Sequence, residues 1–423
     1  MKYSELTAAQ REALLRTMQK EYEAVKAEGL KLNMARGKPS AAQLDLSTEL
    51  LSSLSGAAEC FDGGIDARNY GELLGLPAAR AYWADMFGVK PENVLAGGSS
   101  SLQLMHDLLL SCWVFGRKDS PRPWCKEEKV KWLCPVPGYD RHFKITEELG
   151  MELIPVPMRE DGPDMDAVEA LITDPAVKGI WCVPKYSNPC GIVYSQAVLD
   201  RFVHLSPAAP DFTVMWDNAY CVHEFACAYV PFPEILDLAE AAGTQDMFFE
   251  FASTSKITFP GAGISCMICS EANLARAQKH LGIGIISYDK LNQLRHVRFL
   301  QDKAHTLRHM EKHAALLAPK FALVQRILNE ELAPLGIASW TDPKGGYFVS
   351  FYAMPGTAKR IVSLMKDAGV VLTGAGAAFP YGIDPRDSHI RLAPSFPPPE
   401  ELEKALRVFC LSVKIAALEK PAG

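Results

Sequence analysis

No stretch of this 423-residue sequence approaches the ~20 consecutive apolar residues needed to cross a bilayer. The amino end runs from Met1 to Glu5 into a charged amphipathic segment and lacks the apolar centre of an export signal. Excess charge is small: 44 Lys and Arg against 50 Asp and Glu give −6, and basic clusters are short and scattered. That balance keeps a protein dispersed but offers no footprint for nucleic acid or an anionic membrane. Internal repeats and low-complexity tracts are missing, and 48% hydrophobic with 22% charged residues excludes a disordered chain. The expectation is a globular cytoplasmic protein with no membrane or nucleic-acid partner and, at this length, about two domains.

Cysteine is not scarce, but the eleven cysteines sit in a chain expected to stay in a reducing compartment. Most, such as Cys134 and Cys182, lie in apolar stretches where a reduced thiol packs as a small hydrophobe. Cys266 and Cys269 have CxxC spacing inside a strand-like run. Strand residues three apart face opposite sides, so the two make poor joint metal ligands.

Thr7 opens a Thr-x-x-Gln capping box, and Leu14, Leu15, Met18, Tyr22 and Val25 follow at helical spacing to a stop at Gly29. An extended segment, residues 32–40, comes next, broken by Gly37 and Pro39. From about residue 65 to 270, short apolar runs alternate with helical stretches: 93–95, 130–134, 179–183, 212–216, 247–251 and 263–269. Alternation of this kind predicts an α/β domain with a mostly parallel sheet covered on both faces. A charged helical region is expected over about 290–330, a strand over 345–349 and a closing helix over 400–418. The expected division is a large domain, 48–299, and a smaller α/β domain built from the two chain ends, 1–47 and 300–423.

Nearly every apolar run ends in a polar or glycine-rich cluster, the edge where open parallel sheets bind ligands. Gly97-Gly-Ser-Ser-Ser101, with Ser99 and Ser100, opens a helical run and offers free amides and hydroxyls to an anion. Tyr139 follows Pro137-Gly138 and can stack on a flat ring. Asn188, in Ser-Asn-Pro-Cys-Gly191, reads as a turn that also presents an amide. Asp217 emerges from Phe-Thr-Val-Met-Trp216 and needs a cationic or hydrogen-bonding partner there, with Tyr220 three residues on. Lys256, in Ser253-Thr-Ser-Lys, is an amine flanked by hydroxyls, suited to a Schiff base. Arg391 offers a fork that fits a carboxylate. Each has a plain alternative taken singly: a surface lysine, a helix-capping aspartate, a capping serine, a solvated arginine. Their joint order at successive strand ends carries the argument.

That order resembles the fold-type I, class I aminotransferases, which depend on pyridoxal phosphate. Ala35-Arg-Gly-Lys-Pro-Ser40, Ser-Asn-Pro-Cys-Gly and Ser-Thr-Ser-Lys-Ile-Thr-Phe259 resemble the subgroup called class Ic aspartate aminotransferases. The resemblance implies that Lys256 holds the cofactor and shuttles protons and that Asp217 pairs with the pyridine nitrogen. Asn188 and Tyr220 would bond the phenolic oxygen, Ser99, Ser100 and Ser253 the phosphate, while Tyr139 stacks on the ring. Arg391 would bind the substrate α-carboxylate with help from the backbone at Gly37. Arg36 is the candidate for a side-chain carboxylate. Tyr70 matches a family tyrosine that reaches the phosphate across a homodimer interface. Aspartate and 2-oxoglutarate are the implied substrates, in a ping-pong transamination. One departure stands out: the family's phosphate-binding arginine, in Pro-Gly-x-Arg, has no counterpart in Pro260-Gly-Ala-Gly-Ile264.

Three other readings remain open at this point. A lyase of the same fold would use the same lysine, aspartate and arginine. A regulator carrying an aminotransferase-like domain would need a basic recognition helix, and the first fifty or so residues show none. A Schiff-base aldolase would leave Asp217 and the Gly/Ser loop without a purpose. His305, His309 and His313 recur every four residues on an expected helix; a solvated face is expected rather than a metal site.

Overall fold

The computed structural model describes residues 2–420. An eight-stranded sheet runs in the order Val94–Gly97, Ser265–Cys269, Phe248–Ser253, Thr213–Asp217, Val177–Cys182, Lys131–Val136, Glu152–Arg159 and Gly162–Pro163. Pairing from Phe248–Ser253 through Glu152–Arg159 is parallel; Ser265–Cys269 runs antiparallel to both neighbours. Val94–Gly97, Val177–Cys182, Thr213–Asp217, Phe248–Ser253 and Ser265–Cys269 are buried along their whole length, as expected of apolar runs when helices cover both faces. The twofold strand period then sorts side chains between the two layers. Trp132, Trp181, Met215, Phe249 and Met267 pack toward the helix Ser101–Phe115. Leu133, Ile180, Val214, Trp216 and Phe248 pack on the other side. Each such side chain contributes about 1.5–3 kcal/mol of burial. Gly179 lets Trp132 lie flat on the sheet: a Cβ there would meet the Trp132 ring and the Thr213 carbonyl, each at 2.4 Å.

The six strands expected between residues 93 and 269 all form, in the mostly parallel arrangement expected. Glu152–Arg159 escaped the sequence pattern because Pro155 and Pro157 interrupt it. The strand lies next to the outermost hairpin strand of the sheet, where missing donors are tolerated. Cys266 and Cys269 do face opposite sides, in separate core clusters.

The chain ends meet in a second layer. The helices Ala8–Ala27, Lys303–Glu331, Ala358–Asp367 and Pro399–Glu419 surround a three-stranded antiparallel sheet, Ala338–Trp340, Val349–Ala353 and His389–Leu392. Leu32–Asn33 pairs in parallel with Val370–Val371 and joins the two ends. Thr7 caps the first helix as expected: its hydroxyl accepts from Gln10 N at 3.3 Å, and Gln10 Oε1 accepts from Thr7 N at 2.9 Å.

Two expectations need correction. The strand expected over 345–349 begins only at Val349, because Gly346 takes φ +84° and Gly345 bridges to Glu224. The resulting bend brings Tyr347 beside Lys256 and Phe348 under Arg391 instead of into the sheet. The histidine series is not a solvated face: His305 is half-buried, but His309 and His313 are buried, because the helix turns that side onto Ser47, Ile257 and Gln43. No helix among the described residues is long and apolar enough to cross a membrane.

Candidate active site

The carboxyl ends of the parallel strands open onto a cavity of about 450 Å³. Its walls carry Ser100, Tyr139, Asn188, Asp217, Tyr220, Ser253 and Lys256 from the sheet side, and Arg36, Gly37 and Arg391 from the chain-end layer. Ten of the twelve residues singled out from sequence thus share one space. Ser99 does not line it; the chain turns there so that Ser100 and Ser101 face inward at the start of the helix Ser101–Phe115. Tyr70 also lies outside, on a turn with its side chain 80% exposed.

Asp217 is the last residue of its strand and is 4% exposed. Its Oδ2 meets His142 Nε2 at 2.9 Å, while Oδ1 is buried without a partner. His142 lies flat on Trp181, with ring centroids 4.3 Å apart and 9° between planes. Tyr139 packs edge-on against the same imidazole at 4.8 Å. An unpaired carboxylate oxygen in such surroundings is costly unless a cationic donor completes it.

Lys256 stands in a tight turn made by Ile257 N and Thr258 N donating to the Thr254 carbonyl at 2.9 and 2.8 Å. Its Nζ lies 5.0 Å from the centroid of the Tyr220 ring. Burial lowers the pKa of the ammonium, and the Asp217 charge partly offsets that. The amine is therefore more available as a nucleophile than an exposed lysine. Burial, reinforced by the neighbouring Tyr139 and Asp217, drives the Tyr220 pKa well above the ordinary phenol value, so its hydroxyl stays protonated and can donate.

Arg391 is held over the Phe348 ring at 4.8 Å. Its Nη1 donates to Asp140 Oδ1 at 3.0 Å and Asn188 Oδ1 at 3.2 Å, and its buried Nε has no partner. Five donors on a planar fork leave room for a carboxylate beside these two bonds. Gly37 allows the approach of Phe348, whose ring would meet an added Cβ at 2.5 Å.

The helix start at Ser100–Ser101, with the Ser253 and Ser255 hydroxyls opposite, forms an anion cradle. The segment that would carry an arginine has no space for one. A Cβ on Gly263 would meet Thr254 Oγ1 at 2.8 Å, and the Gly263 carbonyl is held by Asn292 Nδ2 at 2.8 Å. Sequence reasoning passed over His142, Asp140, Arg141, Lys38 and Phe348 as parts of this site. His142 and Asp140 carried a usable signal, since they begin the helix that follows Tyr139.

Comparison with known proteins agrees with this architecture. The family described as aspartate amino-transferase matches residues 6–423. A putative aminotransferase of Mycolicibacterium smegmatis is 52% identical over 408 residues, 96% of this chain and 95% of that one. The aspartate aminotransferase of Corynebacterium glutamicum is 49% identical over 406 residues, covering 96% and 94%. The crystal structure of an aspartate transaminase from C. glutamicum superposes with a TM-score of 0.96 at 47% identity, over 99% of both chains. Aminotransferases of this family work with pyridoxal phosphate, and the residues present fit it. The orphan Asp217 Oδ1 suits a protonated pyridine nitrogen, the buried amine of Lys256 a Schiff base, and the serine-lined helix start a phosphate. A family match along nearly the whole chain, with half its residues shared by full-length relatives, makes this protein an aminotransferase of the aspartate aminotransferase family.

Proposed function

We propose that the protein transfers the amino group of aspartate to 2-oxoglutarate by a ping-pong mechanism, with Lys256 as the residue that holds the cofactor and moves the proton. The observation that carries this reading is the convergence of Lys256, the half-paired Asp217 and the open fork of Arg391 on one cavity. When bound, pyridoxal phosphate supplies an electron sink for the charge that develops at the substrate α-carbon.

The chain's residues have separate tasks. Asp217, braced by His142, keeps a cationic ring nitrogen protonated. Tyr220 and Asn188 donate toward the ring's phenolic oxygen, and Tyr139 covers the ring. Ser100 and Ser253, with Ser99 nearby, receive the phosphate. Arg391 binds the α-carboxylate, with the backbone at Gly37, and so fixes the Cα–H bond relative to Lys256 Nζ. The buried amine of Lys256 would take the α-proton and hand it on. Arg36, with Lys38 and Arg141 at the same mouth, meets the side-chain carboxylate that distinguishes aspartate.

An absorption spectrum of the protein loaded with pyridoxal phosphate tests this directly. Aspartate should remove the visible band and 2-oxoglutarate should restore it. A band indifferent to every acidic amino acid would end the aspartate assignment; pyruvate and ammonia formed without an acceptor would point to the lyase reading instead. Arg391→Leu should lower kcat/KM for aspartate by about 10²–10³-fold, mostly through KM, because an ion-paired carboxylate loses its fork. Steady-state kinetics with both substrates reads this, and an unchanged KM would remove Arg391 from the binding step.

The working unit is a homodimer in which Tyr70 reaches the partner's phosphate site. Supporting this, Tyr70 is exposed, and so are the apolar Val114, Phe115, Ile283 and Ile286. Light scattering on the eluting holoenzyme should give twice the 46.5 kDa chain mass; a monomer with full activity would end the proposal.

A further inference from the structure

Behind Lys256 lies a buried polar chain that the transamination chemistry does not use. The carbonyl of Ile257, the residue after the lysine, is left free by the turn around Thr254. His309 Nε2 sits 2.8 Å from it, and Ser47 Oγ 3.5 Å. A carbonyl only accepts, so His309 carries its proton on Nε2. His313 Nε2 lies 3.1 Å from His309 Nε2, one turn further along the same helix.

The proton on His313 can be assigned from the other end of the chain. The backbone N–H of Ser40 donates to Gln43 Oε1 at 3.1 Å, which fixes the orientation of that amide. Gln43 Nε2 therefore faces Tyr347 OH at 2.9 Å and His313 Nδ1 at 3.3 Å, and it can only donate to both. His313 Nδ1 is then the acceptor, and the ring's single proton resides on Nε2. One imidazole, His309, thus holds the carbonyl, and His313 backs it from the next turn of the long helix Lys303–Glu331. Burial keeps both rings neutral: it lowers the pKa of His309, and it lowers that of His313 to about 3 with His309 adding to the effect.

The far end of the chain is as informative as the near one. Ser40 closes the segment 36–40, whose Arg36, Gly37 and Lys38 line the cavity mouth. Gln43, His313 and His309 therefore join the loop that meets substrate to the peptide that carries the Schiff-base lysine.

We propose that His309 and His313 are positioning residues: the His309 Nε2–H holds the Ile257 carbonyl and keeps the Lys256 segment in register, and His313, packed against His309, ties it through Gln43 to the 36–40 loop. This rests on Lys256 being the cofactor-bearing residue. On the inner side the polar neighbours are His223, beside His313, and Tyr347, reached through Gln43; Lys312 is the charged group that acts on His309. Outside His309, a surface cavity carries Glu49, Arg298, Arg308 and Lys312.

The test uses holoenzyme and reads two quantities: the pH midpoint of the visible Schiff-base band, and kcat against KM for both substrates. His313→Leu, which cuts the link from Gln43 to His309, should lower kcat about tenfold or more with KM nearly unchanged, since a small displacement of the reacting amine is enough for that. It should also move the band's pH midpoint. His313→Gln and His309→Gln, which keep an N–H near the Nε2 position, should restore most of kcat and the original midpoint. If His313→Leu does not fold, His309→Leu, next to the surface cavity, is compared with the two glutamine variants in the same way. Leucine variants with normal kcat and an unmoved midpoint would overturn the proposal. So would glutamine variants as impaired as the leucine ones, or a loss of thermal stability with neither readout changed. A wild-type protein that forms no visible band would instead sink the assignment of Lys256, so the two failures are separable.

Discussion

Replacing Lys256 with alanine is expected to lower turnover by roughly 10³–10⁴-fold or below detection, and to abolish the visible band of the cofactor-loaded protein. Both effects follow from one nitrogen. It is the amine that stands among Asp217, Tyr220 and Ser253 at the strand ends, and burial makes it a better base than an exposed lysine. The variant should still bind pyridoxal phosphate, because the serine-lined helix start and Asp217 are untouched. Single-turnover kinetics with added methylamine or ethylamine offer a sharper reading. A small amine entering the space vacated by the side chain should recover part of the proton transfer, in proportion to its concentration. If the visible band survives, or turnover stays within roughly tenfold of wild type, Lys256 does not have the role proposed for it.

Asp217→Asn should reduce kcat by about 10²–10³-fold with a smaller effect on substrate KM. Asparagine keeps the shape of the side chain, so the strand and the stacked His142–Trp181 pair behind it should be retained. What it removes is the negative charge facing the orphan position at Oδ1, and with it the means of holding a ring nitrogen protonated. His142 Nε2 would then face a neutral amide in place of a carboxylate. Replacing His142 itself should cost less, because the charge on Asp217 would remain. A pH titration of the bound cofactor's spectrum, run beside steady-state kinetics, checks the order of these effects. An Asp217→Asn variant with normal kcat would mean that the carboxylate only braces the strand end.

The fold was readable because its signals are local. Unbroken apolar runs with turn residues after them gave the six principal strands, and a capping box gave the first helix. Among the long strands of the large sheet, Glu152–Arg159 escaped, being built around two prolines whose tolerance depends on its place in the sheet. The bend at Gly345–Gly346 was misread as a strand because hydrophobic residues follow it, and only the positive φ of Gly346 separates the two.

The site divides along the same line. The polar clusters after successive strands determined that Ser100, Tyr139, Asn188, Asp217, Tyr220, Ser253 and Lys256 would share an edge, since strand direction alone carries them there. Which atoms pair was decided by tertiary structure. His142 meets Asp217 across 75 residues, Arg391 meets Asp140 across 251, and Gln43 meets His313 across 270. The sequence placed three histidines on one helix and could not say which face that helix would bury. Helical spacing sets only the angle between side chains, whereas burial depends on what packs against them. Here the packing partner is the peptide after Lys256, brought there by a core assembled from both ends of the chain. The sequence by itself determined which chemistry was available at the strand ends; packing decided which groups were left unpaired to perform it, because desolvation and hydrogen bonding are properties of the assembled neighbourhood.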